Sequence, residues 1–303
     1  MTGGCWMIRT IRSGRVIEKS QFYLGERKPR KPRRKGSSSI AKKDQNLKTA
    51  ERRLAQTLNC NFGEGDVFLT LTYDEEHLSA LGSDPGKAAD RTCALFIRRL
   101  SRELGKLGIK QKLVWITADK DEGSLEDVRL HHHVIIKREG FEIGKLLAVA
   151  GRAVEDIWGQ GLTSFELLRD QDDYTPLAVY LVRQAINGPD AKKWHPSRGL
   201  EKPIVKNEVL VTKVKELRAP GGVEVKETGR FDVETGSHYI RYIAPDKTGE
   251  RMAKKISELE EDIRWLREEL KEIPFKHSRT AVARMIEEKE VELRKLRQKT
   301  GLF

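Results

Sequence analysis

The sequence has few cysteines and no long hydrophobic run. Its three cysteines, Cys5, Cys60 and Cys93, are far apart and form no C-x-x-C pair. The odd count and this spacing argue against a disulfide framework and a cysteine zinc site, and they favour a reducing compartment. No apolar segment is long enough to span a bilayer, and residues 1–6 lack the apolar region of a signal peptide. We therefore expect a cytoplasmic protein with no membrane partner.

Acidic residues are outnumbered by basic ones. The 303-residue chain has 58 lysines and arginines against 46 aspartates and glutamates, a net charge of +12. A protein this basic is expected to bind a polyanion, and a nucleic acid is the first candidate. Hydrophobic residues make up 38% of the chain, enough for the core of one substantial domain or two small ones. The sequence also lacks a Walker A motif, so any helicase activity would have to come from the host.

The first 60 residues are expected to form a basic arm followed by a helix. Positive charge is densest at residues 27–35, a run that also contains two prolines. Because proline blocks helix formation and like charges repel, this run should be extended and become ordered on DNA; a solvated linker is the alternative. Apolar residues at helical spacing then predict an amphipathic helix from Ile40 to Leu58. The arm residues expected to bind DNA are Arg30, Lys31, Arg33 and Arg34.

The central part of the sequence alternates between strand-like and helix-like segments. Runs of β-branched and aromatic residues predict strands at 67–73, 113–117 and 129–137. Apolar residues at helical spacing predict a helix at 87–107. The other predicted elements are helices near 143–157 and at 175–186, and strands near 162–168 and at 205–217. This order predicts an α+β fold in which helices flank a central antiparallel sheet.

The last part of the chain has a different pattern. Residues 218–248 are rich in glycine, threonine and valine and are expected to form a β-rich connector. Between 249 and 303, apolar residues alternate spacings of three and four, as in a heptad seam, and Pro274 interrupts them. This pattern predicts a C-terminal helical hairpin or coiled coil, through which the chain could form a homo-oligomer. The expected division is thus an arm and helix at 1–60, a central domain at 61–217, the connector and the hairpin.

The sharpest feature is the run of three histidines from His131 to His133, in a strand-like segment. Side chains alternate between the faces of a strand, so His131 and His133 should share one face and His132 should point to the other. Two imidazoles spaced in this way can hold one divalent cation and leave coordination positions open for a substrate. The alternative is that the histidines are structural, since short His-x-His patterns often arise by chance.

A helix-like segment downstream contains a candidate nucleophile. Thr175 and Pro176 suit the cap and the first position of a helix, which places Tyr180 in its middle. Arg183 and Gln184 follow at i+3 and i+4 and should share the face of Tyr180. A cation beside a tyrosine favours the phenolate, which is the attacking form. Taken alone, however, the pattern is more typical of a core aromatic on an amphipathic helix.

Together these segments resemble the HUH endonucleases, specifically the rolling-circle replication initiators of phages and plasmids. Members of that family have an apolar strand similar to residues 68–73 here, then a His-x-His strand. A helix follows, with a nucleophilic tyrosine and a basic residue three positions on. All three features occur in this order over roughly residues 60–205, and the segment 194–203 is similar to the one that follows the tyrosine in phage-type members. The resemblance implies that residues 61–217 form an HUH-type nuclease domain.

The resemblance implies a metal site and a nucleophile. His131 and His133 would be ligands of Mg²⁺ or Mn²⁺ and Tyr180 would be the nucleophile, with Tyr174 a weaker candidate. Arg183 would take the electrostatic role that a lysine has in many members. Relatives often supply an acidic third ligand at the end of the strand before the histidines, and Asp119 falls at that place. Alternatively, Ala118 occupies the ligand position, and Glu122 or a water completes the shell.

The implied activity is site-specific nicking and rejoining of one DNA strand through a covalent 5′-phosphotyrosine intermediate, which initiates rolling-circle replication. Single-stranded or origin DNA would be the substrate, and a host helicase and polymerase would be partners. Trp194 is expected to stack on a base, and Arg198 and Lys202 to contact phosphates. One alternative is an HUH-type transposase or relaxase, although relaxases usually have three histidines and an N-terminal tyrosine. Another is a non-catalytic basic nucleic-acid-binding protein.

Overall fold

A computed structural model describes most of the chain. The described residues are 5–25, 40–106, 108–120, 127–138, 153–186, 192–210, 216–221, 223–232, 236–244, 248–272 and 276–300. They divide into two compact units, Met1–Ala244 and Pro245–Phe303. Some residues with predicted roles lie outside the described ranges, namely Arg30, Lys31, Arg33, Arg34 and Glu122. Their roles stay predictions.

The described residues form ten strands and seven helices. The strands are β1 (Cys5–Ser13), β2 (Val16–Leu24), β3 (Val67–Thr72), β4 (Leu113–Lys120), β5 (Asp127–Ile136), β6 (Thr163–Leu167), β7 (His195–Pro196), β8 (Ile204–Leu210), β9 (Val225–Thr228) and β10 (His238–Ile243). The helices are α1 (Ile40–Asn61), α2 (Glu75–Ser79), α3 (Pro85–Lys106), α4 (Ala153–Trp158), α5 (Thr175–Gln184), α6 (Thr248–Glu272) and α7 (Lys276–Thr300). The predicted α+β class is confirmed.

The first sheet, which we call the histidine sheet, has five antiparallel strands in the order β6-β3-β5-β4-β7. Its three central strands are almost entirely apolar because helices cover both faces. One face packs against α3 and α4, and the opposite face packs against α1 and α5. The largest fully buried side chains of these layers are Trp158, Phe96, Leu54, Leu58, Leu71, Leu100, Leu104, Leu113, Ile116, Ile135 and Ile136.

A second five-stranded sheet, in the order β8-β1-β2-β10-β9, belongs to the same unit. It joins the N-terminal hairpin to residues 204–243, two regions that the sequence analysis separated into an arm and a connector. No strand was predicted before residue 67, so the boundaries at 60 and 218 differ from the observed unit. The predicted strand at 205–217 is observed as β8 and ends at Leu210, and residues 211–215 lie outside the described ranges.

The second sheet packs against α1. Gly14, in the tight turn between β1 and β2, has a φ of 58°, and a Cβ there would lie 2.3 Å from the carbonyl oxygen of Asn59. Glycine therefore permits both the turn and its close approach to the helix. Beside the turn, the buried Glu18 accepts hydrogen bonds from Gln56 Nε2 (2.5 Å) and the Tyr239 hydroxyl (2.9 Å). A charged contact thus holds β2 and β10 on α1.

The same sheet also contacts the start of α5. Arg241 of β10 pairs with the buried carboxylate of Asp173, and its NH1 atom donates to Thr175 Oγ1 (2.7 Å). Asp173 in turn accepts a hydrogen bond from the backbone N–H of Thr175 (2.9 Å). The predicted cap at Thr175 is therefore wrong by one residue: the helix begins at Thr175, Tyr174 is the N-cap residue, and Pro176 occupies the first turn.

The C-terminal unit consists of α6 and α7, which run antiparallel. Their ion pairs show the direction, because Arg267 pairs with Glu290 while Glu260 pairs with Arg297. The buried apolar residues of the two helices are Ile256, Leu259, Ile263, Leu266, Val282 and Ile286. The predicted helical hairpin is observed, whereas oligomerisation through it stays a prediction. Of the helices in the described ranges, none is both long enough and apolar enough to cross a lipid bilayer.

Candidate metal and nucleophile site

The three histidines lie in the middle strand of the histidine sheet. In the register of β3 with β5, Thr72 is opposite His131 and Thr70 is opposite His133. His131 and His133 share the face that packs against α1 and α5, whereas His132 belongs to the face covered by α3 and α4. The alternation predicted from the sequence is observed. Threonines opposite the two histidines leave a polar surface on an otherwise apolar sheet face.

The imidazoles of His131 and His133 converge on one point. Their Nε2 atoms lie 3.1 Å apart, and the two rings are almost perpendicular. On the other side of each ring, His131 Nδ1 donates to the carbonyl oxygen of Arg129 (2.8 Å), and His133 Nδ1 lies 3.2 Å from Thr70 Oγ1. A protonated Nδ1 leaves the Nε2 lone pair available as a ligand. The histidines are therefore oriented as the ligands of one cation would be.

His133 is held in its neutral form. Burial lowers its pKa to about 3, and the charge of His131 acts in the same direction. The hydrogen bond with Gln184 acts in the opposite direction but is the smaller cause. Neutral imidazole is the form that binds a metal ion, so no proton competes with a cation at His133 near neutral pH.

Gln184, in the last turn of α5, supplies a third donor. Its Oε1 atom lies 3.2 Å from His133 Nε2, and its side chain is buried. Three acceptors (His131 Nε2, His133 Nε2 and Gln184 Oε1) thus face one another, an arrangement that a shared proton or a cation has to balance. Two imidazole nitrogens and an amide oxygen suit Mn²⁺, and the oxygen also suits Mg²⁺. The sequence analysis noted Gln184 on the face of Tyr180 but did not assign it as a ligand.

The predicted third ligand, Asp119, occupies a different position. The β4–β5 register puts Ala118 opposite His131 and shifts by one residue beyond it. Within the described part of the chain, Asp119 forms no three-ligand cluster with the two histidines. Its charge acts on Lys193, whose pKa it raises. The alternative that Ala118 occupies the ligand position agrees with this register, and Gln184 takes the place of Glu122 or water.

Tyr180 lies next to the histidines. Its ring centroid is 6.0 Å from that of His133, and its side chain is half-buried. Tyr180 and Gln184 are one turn apart on α5, so the helix presents both to the histidine pair. No residue in the described ranges makes a hydrogen bond to the Tyr180 hydroxyl. By contrast, Tyr174 is buried, and its hydroxyl donates to the carbonyl oxygen of Arg169 (3.0 Å).

Arg183 has a different partner from the one expected. Its Nε atom donates to Glu51 Oε1 of α1 (3.2 Å), and half of its side chain is exposed. This contact links the exposed edges of α1 and α5. The predicted electrostatic role at Tyr180 stays a prediction, since Arg183 would have to leave Glu51 to contact a phosphate.

The residues expected to contact DNA after the tyrosine lie in a described segment. Trp194 is partly buried and packs against the core between α1, α5 and the histidine sheet, which makes it less available for stacking than the sequence suggested. Arg198 and Lys202 are exposed. His195 and Pro196 pair with β4, and the His195 ring stacks on Trp115 at 3.9 Å. This segment therefore fixes β4 from its outer edge.

His132 has a structural role on the opposite face. It is fully buried, and burial lowers its pKa to about 3. The Tyr73 hydroxyl donates to His132 Nε2 (2.8 Å), and His132 Nδ1 donates to Thr117 Oγ1 (3.0 Å). Thr117 passes the chain on to Asp90 Oδ1 (2.5 Å). Each donor thus meets one acceptor, and the chain links β3, β5, β4 and α3 beneath the metal ligands.

Acid should destabilise the protein because His132 and His133 are buried in their neutral forms. An unfolded histidine titrates near 6.5, whereas both residues titrate near 3 when folded. The unfolded state therefore binds more protons below pH 6.5, and the stability present above that pH is lost as the pH falls towards 3. We expect the unfolding free energy in EDTA, measured with urea between pH 7.5 and 4.5, to fall below pH 6.5 by about 1 kcal/mol per pH unit for each histidine. A pH-independent stability over this range would contradict the burial of neutral histidines.

Comparison with known proteins gives one match. Residues 66–185 match the model of the family of replication-associated proteins described by the names ORF2 and gene 2 protein. The match runs from just before β3 to just after α5, so it contains both histidines, Tyr180 and Gln184. No curated protein and no solved structure matches the chain. The segment that carries the candidate site is thus similar to a family of replication-associated proteins.

Proposed function

We propose that this protein is a site-specific endonuclease and ligase for single-stranded DNA that initiates rolling-circle replication. One observation carries the proposal: a tyrosine without a described hydrogen-bond partner stands 6.0 Å, ring to ring, from a pair of converging imidazoles. The similarity of residues 66–185 to replication-associated proteins supports the same reading. The net charge of +12 suits a nucleic-acid substrate.

The site fits a divalent cation, Mg²⁺ or Mn²⁺, held by His131, His133 and Gln184. When bound, such a cation withdraws charge from a non-bridging oxygen of the phosphate that is attacked. The hydrogen bonds from Nδ1 of His131 and His133 orient the rings and fix the tautomers. Because Gln184 and Tyr180 share α5, the same helix that completes the ligand set also carries the attacking oxygen.

Tyr180 is the nucleophile in this proposal. Its phenolic oxygen attacks the phosphorus in line, a phosphotyrosine bond forms, and the bond between phosphorus and the 3′-oxygen breaks. The phenolic proton goes to solvent, and the leaving 3′-oxygen takes up a proton to give a free 3′-hydroxyl that a host polymerase can extend. The 5′-phosphate stays on Tyr180 as an ester, so a later 3′-hydroxyl can reverse the reaction and rejoin the strand without ATP.

DNA would reach the site as a single or extruded strand, because a phosphate inside a paired duplex cannot approach both the histidines and Tyr180. The exposed Arg198 and Lys202 and the basic run at 27–35 are proposed to bind phosphates and to make affinity depend on salt. A host helicase would supply unwinding, and the reaction would take place in the cytoplasm.

The test uses a pool of 3′-labelled single-stranded oligonucleotides with a randomised central region, because the target sequence is undefined. Incubation with Mn²⁺ should give a labelled protein–DNA adduct that survives SDS, and EDTA should prevent it. Sequencing the recovered adducts should reveal a single preferred cleavage junction. DNA that shifts on a native gel but never forms an adduct, with Mg²⁺ or Mn²⁺ present, would instead identify a non-catalytic nucleic-acid-binding protein.

A further inference from the structure

The end of α5 is held by a lysine outside the segment that matches the replication family. Lys193 Nζ donates to the carbonyl oxygens of Ala185 (3.1 Å) and Ile186 (3.0 Å), the two residues that follow Gln184. The last carbonyl groups of a helix have no partners within the helix, and a cation there also interacts favourably with the helix dipole. Lys193 thus caps the C-terminal end of the helix that carries Tyr180 and Gln184.

The same end of α5 is joined to the histidine sheet. The helix stops at Gln184 because Ala185 adopts an extended conformation (φ −61°, ψ 135°) and forms an isolated bridge with Ala118 of β4. The next N–H group, of Ile186, donates to the carbonyl oxygen of Thr117 (3.0 Å). Since Ala118 is opposite His131 in the sheet, only one strand separates the end of α5 from a metal ligand. Movement at Ala185 would therefore move Gln184 relative to the histidines.

Asp119 provides the charge that keeps this lysine protonated. Burial lowers the pKa of Lys193, and the negative charge of Asp119 acts in the opposite direction. Asp119 Oδ1 is itself buried and has no hydrogen-bond partner among the described residues. A buried carboxylate is costly unless a positive charge lies near it. The two residues therefore stabilise each other beside β4.

We propose that Lys193 is a positioning residue for the metal centre, and that Asp119 acts through Lys193 rather than as a ligand. Lys193 holds the carbonyl groups of Ala185 and Ile186 against β4 and thereby fixes Gln184 at the histidine pair and Tyr180 beside it. The effect on nicking rests on the proposed function. The effect on metal binding and on the end of α5 does not depend on it.

The test compares Lys193→Met with Lys192→Met, a matched control that removes the same charge from the exposed neighbouring residue. The measurements are Mn²⁺ affinity by calorimetry, hydrogen exchange of the Ile186 amide, and kcat and KM for a cleaved oligonucleotide. We expect Lys193→Met to weaken Mn²⁺ binding by about ten-fold, as loss of a supporting contact does at other metal sites. It should also speed amide exchange and lower kcat with little change in KM, while Lys192→Met behaves as wild type.

Lys193→Arg distinguishes positioning from general stability. A guanidinium group can donate to both carbonyls, so this variant should restore most of the Mn²⁺ affinity and of the amide protection. If Lys193→Met fails to fold, Asp119→Asn carries the test and should weaken Mn²⁺ binding by less than Gln184→Ala does. Unchanged affinity and exchange in Lys193→Met, or equal losses in Lys192→Met, would overturn the proposal. Wild-type protein that binds Mn²⁺ and responds to Lys193→Met but never nicks DNA would overturn only the proposed function.

Discussion

Replacing Tyr180 with phenylalanine should abolish the covalent protein–DNA adduct and leave the fold and DNA binding intact. The ring of Tyr180 packs beside His133 at 6.0 Å, and phenylalanine preserves that ring while it removes the attacking oxygen. Loss of a nucleophile costs several orders of magnitude in other enzymes, so the rate of adduct formation should fall by about 10⁴-fold or more. The measurement is the yield of SDS-resistant adduct with Mn²⁺ over a time course.

Tyr174→Phe is the matched control, because Tyr174 is a tyrosine at the start of the same helix. Its hydroxyl donates to the carbonyl oxygen of Arg169, so the change should reduce stability by about 1 kcal/mol and leave the adduct in place. Adduct formation that persists in Tyr180→Phe and disappears in Tyr174→Phe would show that Tyr174 is the nucleophile instead. Persistence in both variants would exclude tyrosine chemistry on α5.

Replacing His131 with alanine should remove Mn²⁺ binding and nicking together. His131 is half-buried and bonds to Arg129 of its own strand, so its loss disturbs packing less than the loss of the buried His133 would. Supporting contacts alone are worth about 10- to 100-fold in metal affinity, so removal of a direct ligand should cost at least about 100-fold. Calorimetry with Mn²⁺ measures the affinity, and His77→Ala, which alters a histidine of α2, should leave it unchanged.

The third ligand can be identified in the same way. Gln184→Ala should weaken Mn²⁺ binding more than Asp119→Asn does, because Gln184 Oε1 lies 3.2 Å from His133 Nε2 while the charge of Asp119 acts on Lys193. Gln184→Glu should retain binding, since a carboxylate oxygen is also a ligand for Mn²⁺ and Mg²⁺. The reverse order of effects would restore Asp119 as the ligand.

Much of the site could be predicted from the sequence because it depends on local periodicity. The two-residue repeat of a strand is sufficient to put His131 and His133 on one face, and the helical repeat puts Tyr180 and Gln184 on another. Assigning Gln184 as a ligand required the distance between α5 and β5, which no local pattern contains. The acidic residue nearest to the expected position drew attention to Asp119, but the shift in register beyond Ala118 changes which residue accompanies His131.

The second sheet was missed for a related reason. β1 and β2 pair with β8 and β10 from the far end of the same unit, and such long-range pairing leaves no signal in either segment alone. The N-terminal segment was interpreted through its dense positive charge at 27–35, and this concealed the strand-like residues before it. Similarly, the arginine three positions after Tyr180 suggested a catalytic cation, whereas its observed partner is Glu51 of a helix far away in the sequence.

The most direct test of the account is to identify the residue that becomes attached to DNA. Protein trapped with a cleaved oligonucleotide in Mn²⁺ would be digested with nuclease and protease, and the nucleotide-bearing peptide sequenced by mass spectrometry. We predict a single modified peptide with a 5′-phosphonucleotide on Tyr180. Attachment to any other side chain, or cleavage without attachment, would contradict a mechanism in which paired imidazoles present a phosphate to the phenol of the neighbouring helix.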